Sequence, residues 1–116
     1  LAAAVSGLAD ADAAATLVAA LAGSVAAAFR WLPAAPALVL VCGGGRHNGA
    51  IMSALRDILP ARVMPVEAAG LDGDMLEAQA FGWLAVRVMR GLPTSGPGTT
   101  GVPAPACGGR ISHPRL

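Results

Sequence analysis

The sequence predicts an α/β fold, with helices packed on a small, partial parallel sheet. Three observations lead there. Ala37-Leu38-Val39-Leu40-Val41-Cys42 is a short continuous apolar run, as expected of a strand buried on both faces. Segments with three- and four-residue apolar spacing lie on either side of it, set off by Pro and Gly. The resulting order is helix, strand, helix, strand, helix, which belongs to a layered α/β domain.

The first helix is expected from Asp10 or Asp12, which suit an N-terminus by capping and dipole, to about Trp31, with Pro33 and Pro36 ending it. Leu17, Val18, Leu21 and Val25 would form its buried stripe. Its uncharged stretch from Ala13 to Phe29, roughly seventeen residues, approaches the lower limit for a membrane span. Its Ala-rich make-up, broken by Thr16, Gly23 and Ser24, favours a core helix over a membrane partner. After the first strand and Gly43-Gly44-Gly45, a second helix is capped by Asn48, striped by Ile51, Leu55, Ile58 and Leu59, and closed by Pro60. Arg62 to Val66 is a second strand that Pro65 makes short or an edge. Gly70 to Gly73 reads as a turn, and a third helix runs from Asp74 to about Arg90, ending at Gly91 and Pro93.

From Thr94 to Gly109 the chain is dense in Pro, Gly, Ser and Thr and has no periodicity, so it reads as a surface loop. Residues 1–92 form the expected partial lobe and residues 93–116 its tail. Two strands do not make a stable parallel sheet unaided, so further strands are expected upstream of Leu1, where the chain opens without Met or a basic signal-peptide region.

A net charge of +1, with the arginines scattered and no lysine, leaves no electrostatic footprint for nucleic acid. Phe29, Phe81, Trp31 and Trp83 are the only aromatic residues, too few for a base-stacking platform. Cys42 and Cys107 form no CxxC pair; Cys42, closing an apolar run, is expected to be buried and inert, and a reducing, cytoplasmic location is expected. His47 and His113 lack partners at metal-ligand spacing, so no metal site is expected from this chain's residues.

The strongest local signal is the strand–Gly43-Gly44-Gly45-Arg46-His47-Asn48–helix unit. Glycines let a ligand approach the backbone and permit positive φ, while a helix N-terminus offers unpaired N–H groups. Such a unit suits a nucleotide, or else is a tight turn that binds nothing. Without lysine it is no P-loop. A dinucleotide fingerprint would need Gly where Asn48 stands, although Glu67 loosely meets its acidic position. Asp74 and Glu77 open the third helix at capping-box spacing, yet Glu77 also heads an apolar stripe through Phe81, Leu84 and Val88, where a carboxylate could meet a sugar's hydroxyls. Thr99-Thr100-Gly101 reads as turn-forming, and Arg87 and Arg90 as dipole compensation at the helix end.

Val41 to Asn48, followed by Met52 and Leu55, resembles the "CGGG-x-x-N" segment of anhydro-N-acetylmuramic acid kinases. The stretch from Gly70 to Gly109 resembles the same family's "D-x-x-EA-x-AFA-x-LA-x-R" helix and "P-x-TTG" tail, with Gly82 where Ala is usual. With a weaker match at Ala15-Thr16-Leu17, the likeness covers nearly the whole chain in order. It implies the C-terminal part of an actin-like (ribonuclease H-like) ATPase lobe. Gly43, Gly44, Gly45 and Asn48 would line the ATP site, and Glu77 would contact the anhydro-sugar. The implied reaction transfers phosphate from ATP, accompanied by Mg2+, to 1,6-anhydro-N-acetylmuramic acid while water opens the anhydro ring, giving N-acetylmuramic acid 6-phosphate and ADP. A homodimer is implied by likeness alone. The family's N-terminal phosphate motif and its general-base aspartate have no counterpart here, so no catalytic residue is expected in this chain and no activity from it alone. The rival readings are a fragment of a dinucleotide-binding oxidoreductase and a non-enzymatic α/β module.

Overall fold

The structure, a computed structural model, describes residues 2–114, which fall into two compact units divided between Asp74 and Met75. The first begins with a short helix α1 (Ala2–Val5) and the long α2 (Asp10–Ala28), which tightens into a 3-10 turn over Phe29–Trp31. Strand β1 (Leu38–Val41), helix α3 (Gly49–Ile58) and strand β2 (Arg62–Pro65) follow, and a 3-10 turn Val66–Ala69 leads to Gly70. The strands pair in parallel with Leu38 opposite Arg62 and Val41 opposite Pro65, so β1-α3-β2 is a crossover unit.

The core of this unit is Ala22, Met52, Leu55, Leu59 and Val63, with Val25, Ala26, Phe29, Val39, Val41, Ile51 and Ala54 packed against it. The stripe of α2 differs from the expected one. Leu17 and Leu21 are each more than 40 % exposed, and it is Ala22, Val25, Ala26 and Phe29 that face α3 and the sheet. The small residues win because Ala22 and Ala26 let two helices approach closely, whereas a leucine there would hold them apart. By length and composition Asp10–Trp31 would also pass as a membrane span, but in this unit α2 lies along α3.

Val39, Val41 and Val63 alternate onto the face that meets α2 and α3. Leu38, opposite Arg62 on the other face, is 45 % exposed. The apolar run in β1 is therefore half-buried here, not buried on both faces as its composition predicts. Cys42 departs from expectation for a related reason: β1 ends at Val41, so the thiol stands exposed at the sheet's carboxyl edge and is free, as is the exposed Cys107.

In the second unit α4 (Leu76–Met89) starts two residues later than predicted and has no buried residue. Its end is firm. Leu92 N–H donates to the Arg87 carbonyl at 2.9 Å and Gly91 N–H to that of Val88 at 3.1 Å, a Schellman arrangement. Arg87 Nε donates to the Pro93 carbonyl, and its guanidinium lies 4.7 Å from the Trp83 ring centroid. Arg87 thus fastens the turn after the helix, a more specific task than dipole compensation. The Pro/Gly-rich segment is ordered by an antiparallel bridge between Ser95 and Ala106 and by a short helix α5 (Pro97–Thr100). The Thr99 hydroxyl accepts the Gly96 N–H at 3.0 Å, the turn-forming role expected of it. These bonds group the tail with α4, and the compact units divide at Asp74/Met75.

Burial sets an expected contrast. Leu55→Ala should cost about 2–5 kcal/mol in urea unfolding, whereas Leu17→Ala on the exposed side of α2 should stay within about 0.5 kcal/mol of the parent. Equal losses would mean that the α2 stripe is the leucine one.

Candidate functional site

The glycine turn sits at the carboxyl end of β1, the edge where ligands of open α/β sheets bind. Gly43 takes φ 69° and ψ −175°, a region only glycine occupies comfortably. Gly44 to His47 then form a 3-10 turn, whose first amides, Gly44 and Gly45, have no partner within the turn. A Cβ added at Gly44 or Gly45 would meet nothing within 4 Å. Neither φ nor packing demands glycine at these two positions, and the space beside them is open.

Asn48 is the N-cap of α3, accepting through Oδ1 from Ala50 N–H at 3.0 Å and Ile51 N–H at 3.2 Å. This is the cap that the sequence predicts. Two of the helix's leading amides are already satisfied, so α3 offers an incoming phosphate less than an uncapped helix would, and the remaining function of Asn48 is its carboxamide N–H2. Asn48 also borders an apolar groove of ≈ 450 Å³ between α2 and α3, lined with Ala15, Val18, Ala19, Ala50 and Ala54.

Beneath the turn lies a group the sequence did not single out. The Arg46 side chain is only 3 % exposed. Its Nε donates to Glu67 Oε1 at 2.6 Å, one terminal nitrogen to the Gly43 carbonyl at 2.8 Å, and the other to Asp74 Oδ1 at 2.8 Å. Guanidinium is suited to this because its planar fork supplies several donors in fixed directions. Gly73 closes the arrangement: its carbonyl accepts the Gly43 N–H at 3.3 Å, and a Cβ on it would stand 2.4 Å from Arg46 Nε. Gly73 is therefore glycine by close approach.

This cluster also corrects the capping box. Asp74 lies ahead of α4 and spends its carboxylate on Arg46, while its amide is bonded by Asp72 Oδ1 at 3.0 Å; the N-cap position of α4 is Met75, and Asp74 does not fill it. Glu67, loosely the acidic residue of a dinucleotide fingerprint, is likewise bound to Arg46. His47 is exposed, its Nε2 3.9 Å from Asp74 Oδ1. Hydrogen bonds from its own backbone amide and from Arg46 hold the Glu67 carboxyl below its ordinary pKa, and Arg46 does the same for Asp74; the two carboxylates in turn raise Arg46.

Of the residues the sequence nominated, Gly43, Gly44, Gly45 and Asn48 come together in one turn. Glu77 belongs to the second unit, exposed in the first turn of α4. Among the described residues no group of three or more His, Cys, Asp or Glu is arranged to hold a metal ion.

A family model described as anhydro-N-acetylmuramic acid kinase matches residues 1–114. The chain belongs to this family. Among curated anhydro-N-acetylmuramic acid kinases it is 64 % identical to that of Acidiphilium cryptum over 114 residues, 98 % of this chain and 31 % of the relative. It is 61 % identical over 107 residues to that of Roseobacter denitrificans, covering 92 % of this chain and 28 % of the relative. With that of Rhizobium rhizogenes it shares 50 % identity over 107 residues, 92 % of this chain and 29 % of the relative. The chain thus spans about 30 % of the length of the anhydro-N-acetylmuramic acid kinases it matches.

Because the folded state holds Glu67 and Asp74 below their ordinary pKa, their ionisation stabilises it fully above the unfolded carboxyl pKa. That stability is lost as pH falls below about 4. In chemical denaturation from pH 7 to pH 3 the parent should weaken steeply at the acid end. The double variant Glu67→Gln, Asp74→Asn should start weaker at pH 7 and show a shallower acid decline; an unchanged acid limb would contradict the cluster.

Proposed function

We propose that this chain carries the nucleotide-binding turn of an ATP-dependent kinase for 1,6-anhydro-N-acetylmuramic acid. The observation that carries the reading is the glycine pair Gly44-Gly45: neither backbone angle nor packing explains it, and its two amides are not used within the 3-10 turn they open. Asn48 would add a carboxamide donor, and the apolar groove beside it has the character of a nucleobase site. Mg2+ would come with the nucleotide's phosphates, since the described residues provide no acidic cluster to hold it.

The family reaction couples two steps. The γ-phosphoryl group passes from ATP to the sugar's 6-oxygen, and a water molecule adds at the anomeric carbon as the anhydro bridge opens, leaving ADP and N-acetylmuramic acid 6-phosphate. Phosphoryl transfer asks the protein for positioning and charge neutralisation. In this reading the glycine turn holds the nucleotide, and Glu77, at the start of α4, accepts hydrogen bonds from the sugar. The general-base aspartate belongs to other parts of the enzyme, so these residues alone should not turn ATP over. We further propose an actin-like lobe, a cytoplasmic enzyme and a homodimer, the last on family likeness. The oxidoreductase and interaction-module readings lose ground to the family match, and the former also because Glu67 is bound to Arg46.

Calorimetric titration of the chain should detect ADP in preference to NAD. Gly44→Val should weaken ADP binding at least tenfold while shifting the urea midpoint little, since its Cβ meets nothing in the protein. A valine variant that binds ADP as the parent does would overturn the placement. Robust ATPase activity from residues 1–116 alone would overturn the assignment of catalysis elsewhere.

A further inference from the structure

An arginine one residue beyond a glycine turn that receives phosphates would ordinarily be read as a phosphate ligand. The geometry of Arg46 argues otherwise. Its side chain is buried beneath the turn, and its three nitrogens are engaged with Glu67, Asp74 and the Gly43 carbonyl. To reach an anion it would have to give up three hydrogen bonds, two of them to carboxylates, and leave the buried seat they define.

What Arg46 does instead follows from its partners. Its bond to the Gly43 carbonyl fixes the peptide that leads into Gly44, at the one residue of the turn with a glycine-only conformation. The Gly43 amide is tied in turn to the carbonyl of Gly73, whose Cα lies against the guanidinium. Glu67 and Asp74 hold the guanidinium from the residues following β2, with His47 the other titratable group facing the cluster through Asp74. Moving Arg46 therefore moves Gly43 and redirects the amides of Gly44 and Gly45.

We propose that Arg46 is a positioning residue that holds the glycine turn in its nucleotide-receiving shape and does not itself contact the phosphates. The proposal rests on the nucleotide reading of the turn. It assigns Glu67, Asp74 and Gly73 a supporting part in the affinity for a nucleoside diphosphate, although none of them faces it.

The test uses the full chain, nitrogen-15 labelled, as the parent and as Asp74→Asn and Arg46→Lys. Two quantities are read: the amide shifts of Gly43, Gly44 and Gly45 with no nucleotide present, and ADP affinity by calorimetry. If Arg46 positions the turn, both variants move these amides before ADP is added, and ADP weakens on the order of ten- to a hundredfold, as small displacements in a binding site typically produce. Asp74→Asn is the decisive variant, because it keeps the arginine and its charge. Were Arg46 a phosphate ligand, releasing it from Asp74 would leave ADP affinity unchanged or tighten it, and either result overturns the proposal. Unmoved glycine amides in both variants overturn it as well. A parent that binds no ADP would sink the nucleotide reading and this proposal together. A parent that binds ADP, with an Asp74→Asn variant that binds it equally well, would sink this proposal alone.

Discussion

The fine shape of the glycine turn depends on a cation held beneath it. Arg46 is buried, and burying a guanidinium is unfavourable unless its donors are met by acceptors of opposite charge. Glu67 and Asp74 meet that need from two points on the chain after β2, and the Gly43 carbonyl takes a further donor. Much local geometry follows from this. Residue 73 must lack a side chain, Asp74 is withdrawn from the start of α4, and Gly43 is fixed in a conformation other residues avoid.

The parallel pair β1-β2 and helix α3 give this cluster its frame. Asn48 starts the helix by satisfying two of its own leading amides, and Met52, Leu55 and Leu59 anchor it over Val63 and against the alanine face of α2. The frame therefore places the glycine turn by apolar packing and one cap, while ionic contacts refine it. The division is sensible physically. Packing energy is large and non-directional, whereas the guanidinium's fork specifies direction.

Much of the architecture was legible in the chain. Periodicity and punctuation placed α3 and both strands within a residue or two, and α2 to within three at its end, where a 3-10 turn runs on to Trp31, because Pro33, Pro60 and the three glycines act locally. The buried stripe of α2 was not legible: in an alanine-rich helix hydrophobicity ranks leucine first, yet close helix contact selects Ala22 and Ala26. Cys42 was misjudged because an apolar run does not mark where pairing stops. The glycine turn and its capping asparagine were readable as a local motif. The cluster under them was not, since Arg46, Glu67 and Asp74 are brought together by the crossover, and each taken alone has an ordinary local explanation. Asp74 looked like half of a capping box until the guanidinium claimed it.

Family membership and this geometry meet at one place, the open side of Gly44 and Gly45. The most direct measurement is a crystal structure of the protein with ADP bound. The account predicts phosphate oxygens within hydrogen-bonding distance of the Gly44 and Gly45 amides, with Arg46 still bonded to Glu67 and Asp74 below them. A guanidinium turned outward onto the phosphates, or a nucleotide bound away from the glycine turn, would contradict it.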